Sequence, residues 1–209
     1  MTVRTYFLGL TAAFGLPWLA MVGLPYGKLK DLQPVTIDAT TGEVYPPPAG
    51  GLLLQGQRVY REQGCYQCHT QLIRPTYAGP DRWRAGWAGE TPRETQPMDY
   101  YGLPIAMLGV QRIGPDLANV GYRITDARWH YKHLYAPRSI NDYSVMPAYP
   151  QLFTKHKIDG QPSADAVDVA GLPEGYEVVP TQDARALVTY LLAMRKDSPT
   201  ATPATTPVP

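Results

Sequence analysis

A chain of 209 residues is long enough for one domain with a real core and for appendages around it. Lys and Arg total 19 against 18 for Asp and Glu, so there is no basic field to hold nucleic acid, which argues against that class of function. The two cysteines fall in one motif and leave none for a disulfide framework, while 22 prolines and 19 glycines predict long irregular connections in place of a layered sheet.

From Thr5 to Gly27 the chain has no charged residue and is dominated by Leu, Phe, Ala, Val, Met and Gly. As a helix it spans about 34 Å at about 1.5 Å per residue, enough to cross a hydrocarbon core of about 30 Å. Tyr6 and Tyr26 stand where interfacial aromatic residues belong, and Pro17, a helix breaker in water, is tolerated inside a membrane. A cleaved signal peptide competes with this reading. Its n-region would be Arg4 alone, and no small-x-small cleavage site follows the apolar core. The expectation is a retained transmembrane anchor over residues 1–27. Arg4 on one side, with Lys28 and Lys30 on the other, leaves its orientation undecided by charge. Residues 28–50 read as a polar linker running into Pro46, Pro47 and Pro48, a polyproline stretch that holds a domain off a bilayer.

Residues 51–197 read as the folded domain. It opens on a helix from about Leu52 to Gly64, with Gly56 and Tyr60 four apart on one face, so that another helix can approach over the glycine and pack on the ring. Next comes Cys65-Tyr66-Gln67-Cys68-His69. C-x-x-C-H is the attachment sequence of c-type haem: each sulfur adds across a porphyrin vinyl group, and the adjacent histidine becomes the proximal iron ligand. A thioredoxin-like redox pair would want a βαβ pattern around it, and structural zinc would want four ligands; neither is evident. A covalent tether needs no large pocket, so the rest of the chain can be short and loop-rich. Such attachment takes place outside the bacterial cytoplasmic membrane, which puts everything after Lys28 on the outer face.

A haem that only moves electrons needs a second axial ligand. Met98, Met107 and Met146 are candidates, as are His130, His133 and His156. Met146 is favoured because Pro147 and Pro150 deny helix around it and hold an extended loop. Met107, in Ile105-Ala106-Met107-Leu108, is more simply a packing residue. His/Met ligation raises the reduction potential relative to bis-His, which suits a high-potential chain. His130 and His133 lie three apart on a helical turn; the simpler reading is that Trp129 and His130 line the haem edge or contact a carboxylate. Toward the other end, Pro180-Thr181 opens a second helix. Thr181 is its N-cap, Asp183 is in the first turn, Ala184, Leu187, Val188, Leu191 and Leu192 form the apolar set with Tyr190 on the flank, and Arg195-Lys196 closes it. A helix before C-x-x-C-H crossing a C-terminal helix is the packing of the class I cytochromes c, which this pair resembles. The expected fold class is mainly α: a class I cytochrome c-like helical domain with long irregular loops, preceded by one N-terminal transmembrane helix. Residues 198–209 are Pro, Thr, Ala and Ser with one Val, and are expected to be a disordered tail.

Several segments occur in a telling order: 65–75, Gly114 to Arg123, Trp129 to Leu134, Pro137-Arg138 and Ser144 to Pro150. Together they resemble the membrane-anchored mono-haem subunit (subunit O, or subunit II) of cbb-type, C-family cytochrome c oxidases. The resemblance covers about Gly56 to Leu152, with both helical ends and the anchor. Residues 76–111, rich in Gly, Pro, Trp and Tyr, and residues 153–179 depart from it. The resemblance implies that the Pro115 carbonyl accepts the Nδ1 proton of His69, orienting the ring and raising its basicity. It implies too that Arg74, Arg123 and Arg138 are candidates to pair with haem propionates through forked bonds. The implied role is electron relay without catalysis, from a cytochrome c donor, through a di-haem cytochrome c sister subunit, to a catalytic haem-copper subunit with b-type haems, at the bacterial inner membrane. A stand-alone membrane-tethered cytochrome c is the alternative. A haem enzyme or gas sensor would need a labile sixth ligand, which the proline-braced Met146 argues against.

Overall fold

The computed structural model describes residues 2–38, 40–89 and 92–195. Lys196 and the tail at 198–209 lie outside the described residues. Residues Val3–Leu29 form one helix, α1, of 27 residues with mean hydropathy 1.8 and none of its apolar window buried. At about 1.5 Å per residue it is about 40 Å long. It is the one helix among the described residues long and apolar enough to cross a membrane. Thr2 caps its start by accepting from the Thr5 N–H at 3.2 Å. Pro17 does not end it; the turn that follows widens to a π-type turn over Leu19–Gly23 before α-geometry resumes.

The segment read as a linker is more ordered than a spacer. Strands β1 (Val35–Asp38) and β2 (Glu43–Tyr45) pair antiparallel, Val35 opposite Tyr45. Tyr45 is 6% exposed. Its hydroxyl donates to Asp99 and accepts from Arg93 Nη2 at 3.0 Å, while the Arg93 guanidinium forks onto the Asp99 carboxylate at 2.7 and 2.9 Å. The hairpin is therefore tied to the domain by a ring that buries its apolar body and finds partners for its polar tip.

The domain is organised by two helices far apart in sequence, α2 (Gly51–Glu62) and the C-terminal helix, which cross closely. Between them come the short α3 (Val120–Arg123) and α4 (Ala127–Tyr135), then strands β3 (Phe153–Lys157) and β4 (Tyr176–Pro180). The C-terminal helix, α5, runs Gln182–Leu192. The described residues are thus mainly helical with two small sheets. Gly56 is the point of closest approach: a Cβ there would run into the Ala186 carbonyl and the Tyr190 Cβ. The Tyr60 and Tyr190 rings meet beside it with centroids 5.6 Å apart. Val59, Leu187, Val188 and Leu191 complete the core at this crossing.

Strand β4 delivers the chain into α5. Thr181 caps the helix by accepting from the Ala184 N–H at 3.3 Å, and its own hydroxyl and N–H both donate to the Leu152 carbonyl, at 2.8 and 3.0 Å. The β3–β4 hairpin, in the segment that departs from the family resemblance, holds its intervening loop by Glu177. That carboxylate accepts from Ser163 N–H and Oγ, each at 2.7 Å, and from His156 Nε2 at 2.9 Å.

Residues 76–111 are organised around charges buried inside the domain. Asp81, with a fully buried side chain, accepts from Arg74 Nε and Nη2 at 2.9 Å and pairs with Arg112 Nη1 at 2.8 Å. Burial alone would push the Asp81 carboxyl up, but the hydrogen bonds from Arg74 and Arg112 outweigh it and bring it from 3.8 to about 2.

Two outcomes are expected. Gly56→Ala forces the helices apart and should lower stability by about 1–3 kcal/mol, the usual range for overpacking, read as a drop of several degrees in the melting temperature. Asp81 has a depressed folded-state value, so its contribution is complete above its ordinary value of 3.8 and is lost as pH falls toward about 2. Acid titration of the unfolding midpoint should therefore fall less steeply over that window in Asp81→Asn than in the parent chain.

Candidate functional site

Helix α2 hands the chain to a 3₁₀ turn over Cys65–Gln67, and His69 N–H closes back on the Cys65 carbonyl at 3.0 Å. This folds the two cysteines and His69 into the wall of a cavity of about 500 Å³, a size within the roughly 300–1,000 Å³ of small-molecule and cofactor sites. Gly114, Pro115 and Arg123 form a second part of the lining. Trp129, His130 and His133 come from α4, Leu187 and Leu191 from α5, and Met146 from the loop that follows α4.

His69 is oriented by the peptide beside it. Its Nδ1–H donates to the Pro115 carbonyl at 2.8 Å, which fixes the tautomer and leaves the Nε2 lone pair free. Burial holds the ring below the usual histidine range, more than the Pro115 carbonyl raises it, so His69 is neutral at physiological pH, as a ligand must be. Gly114 is required by this arrangement, because a Cβ there would overlap the His69 ring. Burial pushes the Cys65 thiol up to about 12, so thiolate chemistry, whether metal binding or disulfide exchange, is disfavoured there. Among the described residues no group of three or more His, Cys, Asp and Glu side chains is placed to hold a metal ion.

The six candidates for a second axial ligand separate cleanly. Met98, Met107 and His156 are outside the cavity lining: Met107 is 6% exposed in the core, and His156 is paired with Glu177. His130 Nε2 is committed to the Ile124 carbonyl at 2.9 Å. Met146 and His133 remain. The Met146 loop is held by Tyr149 N–H on the Leu134 carbonyl at 2.9 Å and by Met146 N–H on Ser144 Oγ at 3.3 Å. The His133 ring is stacked on Trp129 with centroids 4.7 Å apart, and its Nδ1 is buried without a hydrogen-bond partner.

Of the three arginines expected near propionates, Arg123 alone lines the cavity. It spends Nη2 on the Asp116 carbonyl at 2.5 Å, and its Nε is buried without a partner. Arg74 is instead forked onto Asp81, and Arg138 braces the Met146 loop through the Ser144 carbonyl at 3.3 Å. Arg123 Nε and His133 Nδ1 are thus two orphaned polar atoms in a lining that is otherwise mostly apolar. A flat apolar group carrying carboxylates, as haem does, fits such a cavity and satisfies both. Sequence reasoning gave no part to Asp116 or Arg112, which both hold Thr70 and Leu72 beside the His69–Pro115 bond. Asp116 lay inside a segment already singled out, but Arg112 had no local signal.

A model of the family described as Cytochrome C oxidase, mono-heme subunit/FixO matches residues 12–195, a span that includes residues 76–111 and 153–179, which depart from the resemblance. The chain belongs to that family. It is a mono-haem subunit of a cytochrome c oxidase, an oxidoreductase complex of electron transport, and its apolar α1 is consistent with membrane anchoring. No curated protein sequence matches the chain.

The choice between Met146 and His133 is decided by substitution. Met146→Ala should leave haem in the purified chain and abolish the sulfur-to-iron charge-transfer band, while His133→Leu should leave that band in place. The reverse pattern, read in the same optical spectra, would transfer the role to His133.

Proposed function

We propose that this member of the mono-haem subunit family is the c-type electron relay of a cbb-type haem-copper oxidase. It accepts electrons from a cytochrome c donor or a di-haem sister subunit and passes them to the catalytic subunit that carries b-type haems and copper. The observation that carries the reading is the His69 Nδ1–Pro115 hydrogen bond, which presents an imidazole with a free Nε2 lone pair beside both cysteines of the attachment motif.

In this reading Cys65 and Cys68 hold one haem c through thioethers, and the haem supplies a one-electron couple. His69 provides the proximal nitrogen in its neutral form. Met146 would hold the iron as a second ligand through its thioether, and a haem held by both residues would suit electron transfer, with oxygen chemistry left to the partner. Arg123 and His133, whose Nε and Nδ1 are buried without partners, would meet the carboxylates of the bound group. Trp129 stacks on His133 and keeps that ring in one orientation. The mostly apolar lining excludes water, so the charge change on electron transfer reorganises little solvent. The helix α1 anchors the subunit as a single pass in the bacterial inner membrane, with the haem domain on the periplasmic face. Membership in an oxidase-subunit family argues against the stand-alone alternative.

Purification through a tag on this chain in mild detergent tests the assembly. The expected result is a complex whose reduced spectrum shows b-type as well as c-type haem. A monodisperse single chain with c-type bands alone would overturn the oxidase relay.

A further inference from the structure

The Asp116 side chain is 1% exposed and lies next in sequence to the carbonyl that orients His69. Residues 114–118 run beside residues 68–72. Gly114 N–H donates to the Cys68 carbonyl at 2.9 Å and Leu117 N–H to the Thr70 carbonyl at 2.7 Å, with the His69–Pro115 bond between them. Asp116 closes the downstream side. Its Oδ2 accepts from Thr70 Oγ1 at 2.5 Å and Leu72 N–H at 2.8 Å, and its Oδ1 from Ala118 N–H at 2.8 Å. Arg112 engages the same two residues, donating from Nε to Thr70 Oγ1 at 2.7 Å and from Nη2 to the Leu72 carbonyl at 2.5 Å. The two charges lie 3.6 Å apart, and Arg112 is also paired with Asp81, which Arg74 forks in turn.

A backbone ladder needs none of this to persist, and two apolar side chains would hold the segments together without the desolvation cost of buried ions. What a buried ion pair adds is a fixed field. Asp116 acts on His69 by charge, opposite in sign to Arg123. Buried charges are weakly screened, so the Asp116 charge is felt at the ring and at what the ring binds, and Arg112, 3.6 Å from it, offsets that charge.

We propose that Asp116 is a positioning residue for His69, holding the Pro115 carbonyl on Nδ1 and, balanced by Arg112, setting the field at the haem iron. This rests on the haem reading above.

Spectroelectrochemical titration of the haem-loaded full chain tests it, using Asp116→Asn, Arg112→Gln and the double variant. Asp116→Asn removes a negative charge and should raise the potential. Arg112→Gln leaves Asp116 less compensated and should lower it, and the double variant should fall between. In the oxidised state, the His69 Nδ1–H resonance should exchange with solvent faster in both single variants. A simple loosening of the fold would move both potentials in the same direction, and that outcome, or unchanged potentials with unchanged exchange, overturns the proposal. If Asp116→Asn does not accumulate, Arg112→Gln decides alone: a lowered potential supports the role and an unchanged one removes it. A purified chain that carries no haem would sink the function proposed above and the field at the iron with it, while exchange of the His69 Nδ1–H in that chain would still decide whether Asp116 positions the ring.

Discussion

A hydrogen bond of 2.8 Å between an imidazole N–H and a proline carbonyl governs the chemistry available in this domain. Because a carbonyl can only accept, the bond settles which ring nitrogen carries the proton, and so which one can face a metal. Because the acceptor is a peptide group, the ring direction is set by backbone that other bonds hold in place. The missing side chain at Gly114 is part of the same constraint, since any Cβ there would occupy the space of the ring.

That backbone is itself held by charge. Arg74, Asp81, Arg112 and Asp116 form a neutral chain of ion pairs within the domain, two of each sign. Isolated, any one of them would cost several kcal/mol to bury. Together they tie the 76–111 segment to residues 70–74, just past His69. The segment is therefore more than a surface elaboration: its Asp81 is a partner of the arginine that braces the site. Asp99 plays a comparable part toward the membrane side of the chain, where Arg93 and Tyr45 bring the β1–β2 hairpin onto the domain. A stretch that reads as a polar spacer is thereby partly docked.

The cavity is assembled from five separated pieces, and different forces hold them in place. The cysteines and His69 follow from the α2–α5 crossing, where burial of Tyr60, Leu187 and Tyr190 dominates. Gly114 to Arg123 follow from the ladder along residues 68–72. His130 and His133 share a face of α4 because residues three apart on a helix do. Met146 arrives on a loop pinned to α4 through Tyr149 and braced by Arg138. The unpaired nitrogens of Arg123 and His133 mark where this assembly leaves polar atoms for a bound group to meet.

Much of this was legible in the residues. Spacing alone gives C-x-x-C-H its chemistry, apolar length gives α1 its span, and Gly56, Tyr60 and the Thr181 cap announce the crossing, since helical periodicity and capping act over a few residues. The same local reasoning favoured Met146 among six candidate axial ligands and named no strands in 153–179, while the family resemblance sent Arg74 and Arg138 toward propionates. Those matters depend on which side chains meet after the chain has travelled tens of residues. Arg74 finds Asp81 only once the 76–111 segment folds back on the motif, and Met146 finds the cavity only once α4 is packed. Short-range pattern was enough to specify the elements and the cofactor chemistry. The partners of the buried charges, and the identity of the residues that share one cavity, were decided by tertiary packing, because the cost of leaving an ion unpaired inside the domain is met only by neighbours that no local spacing encodes.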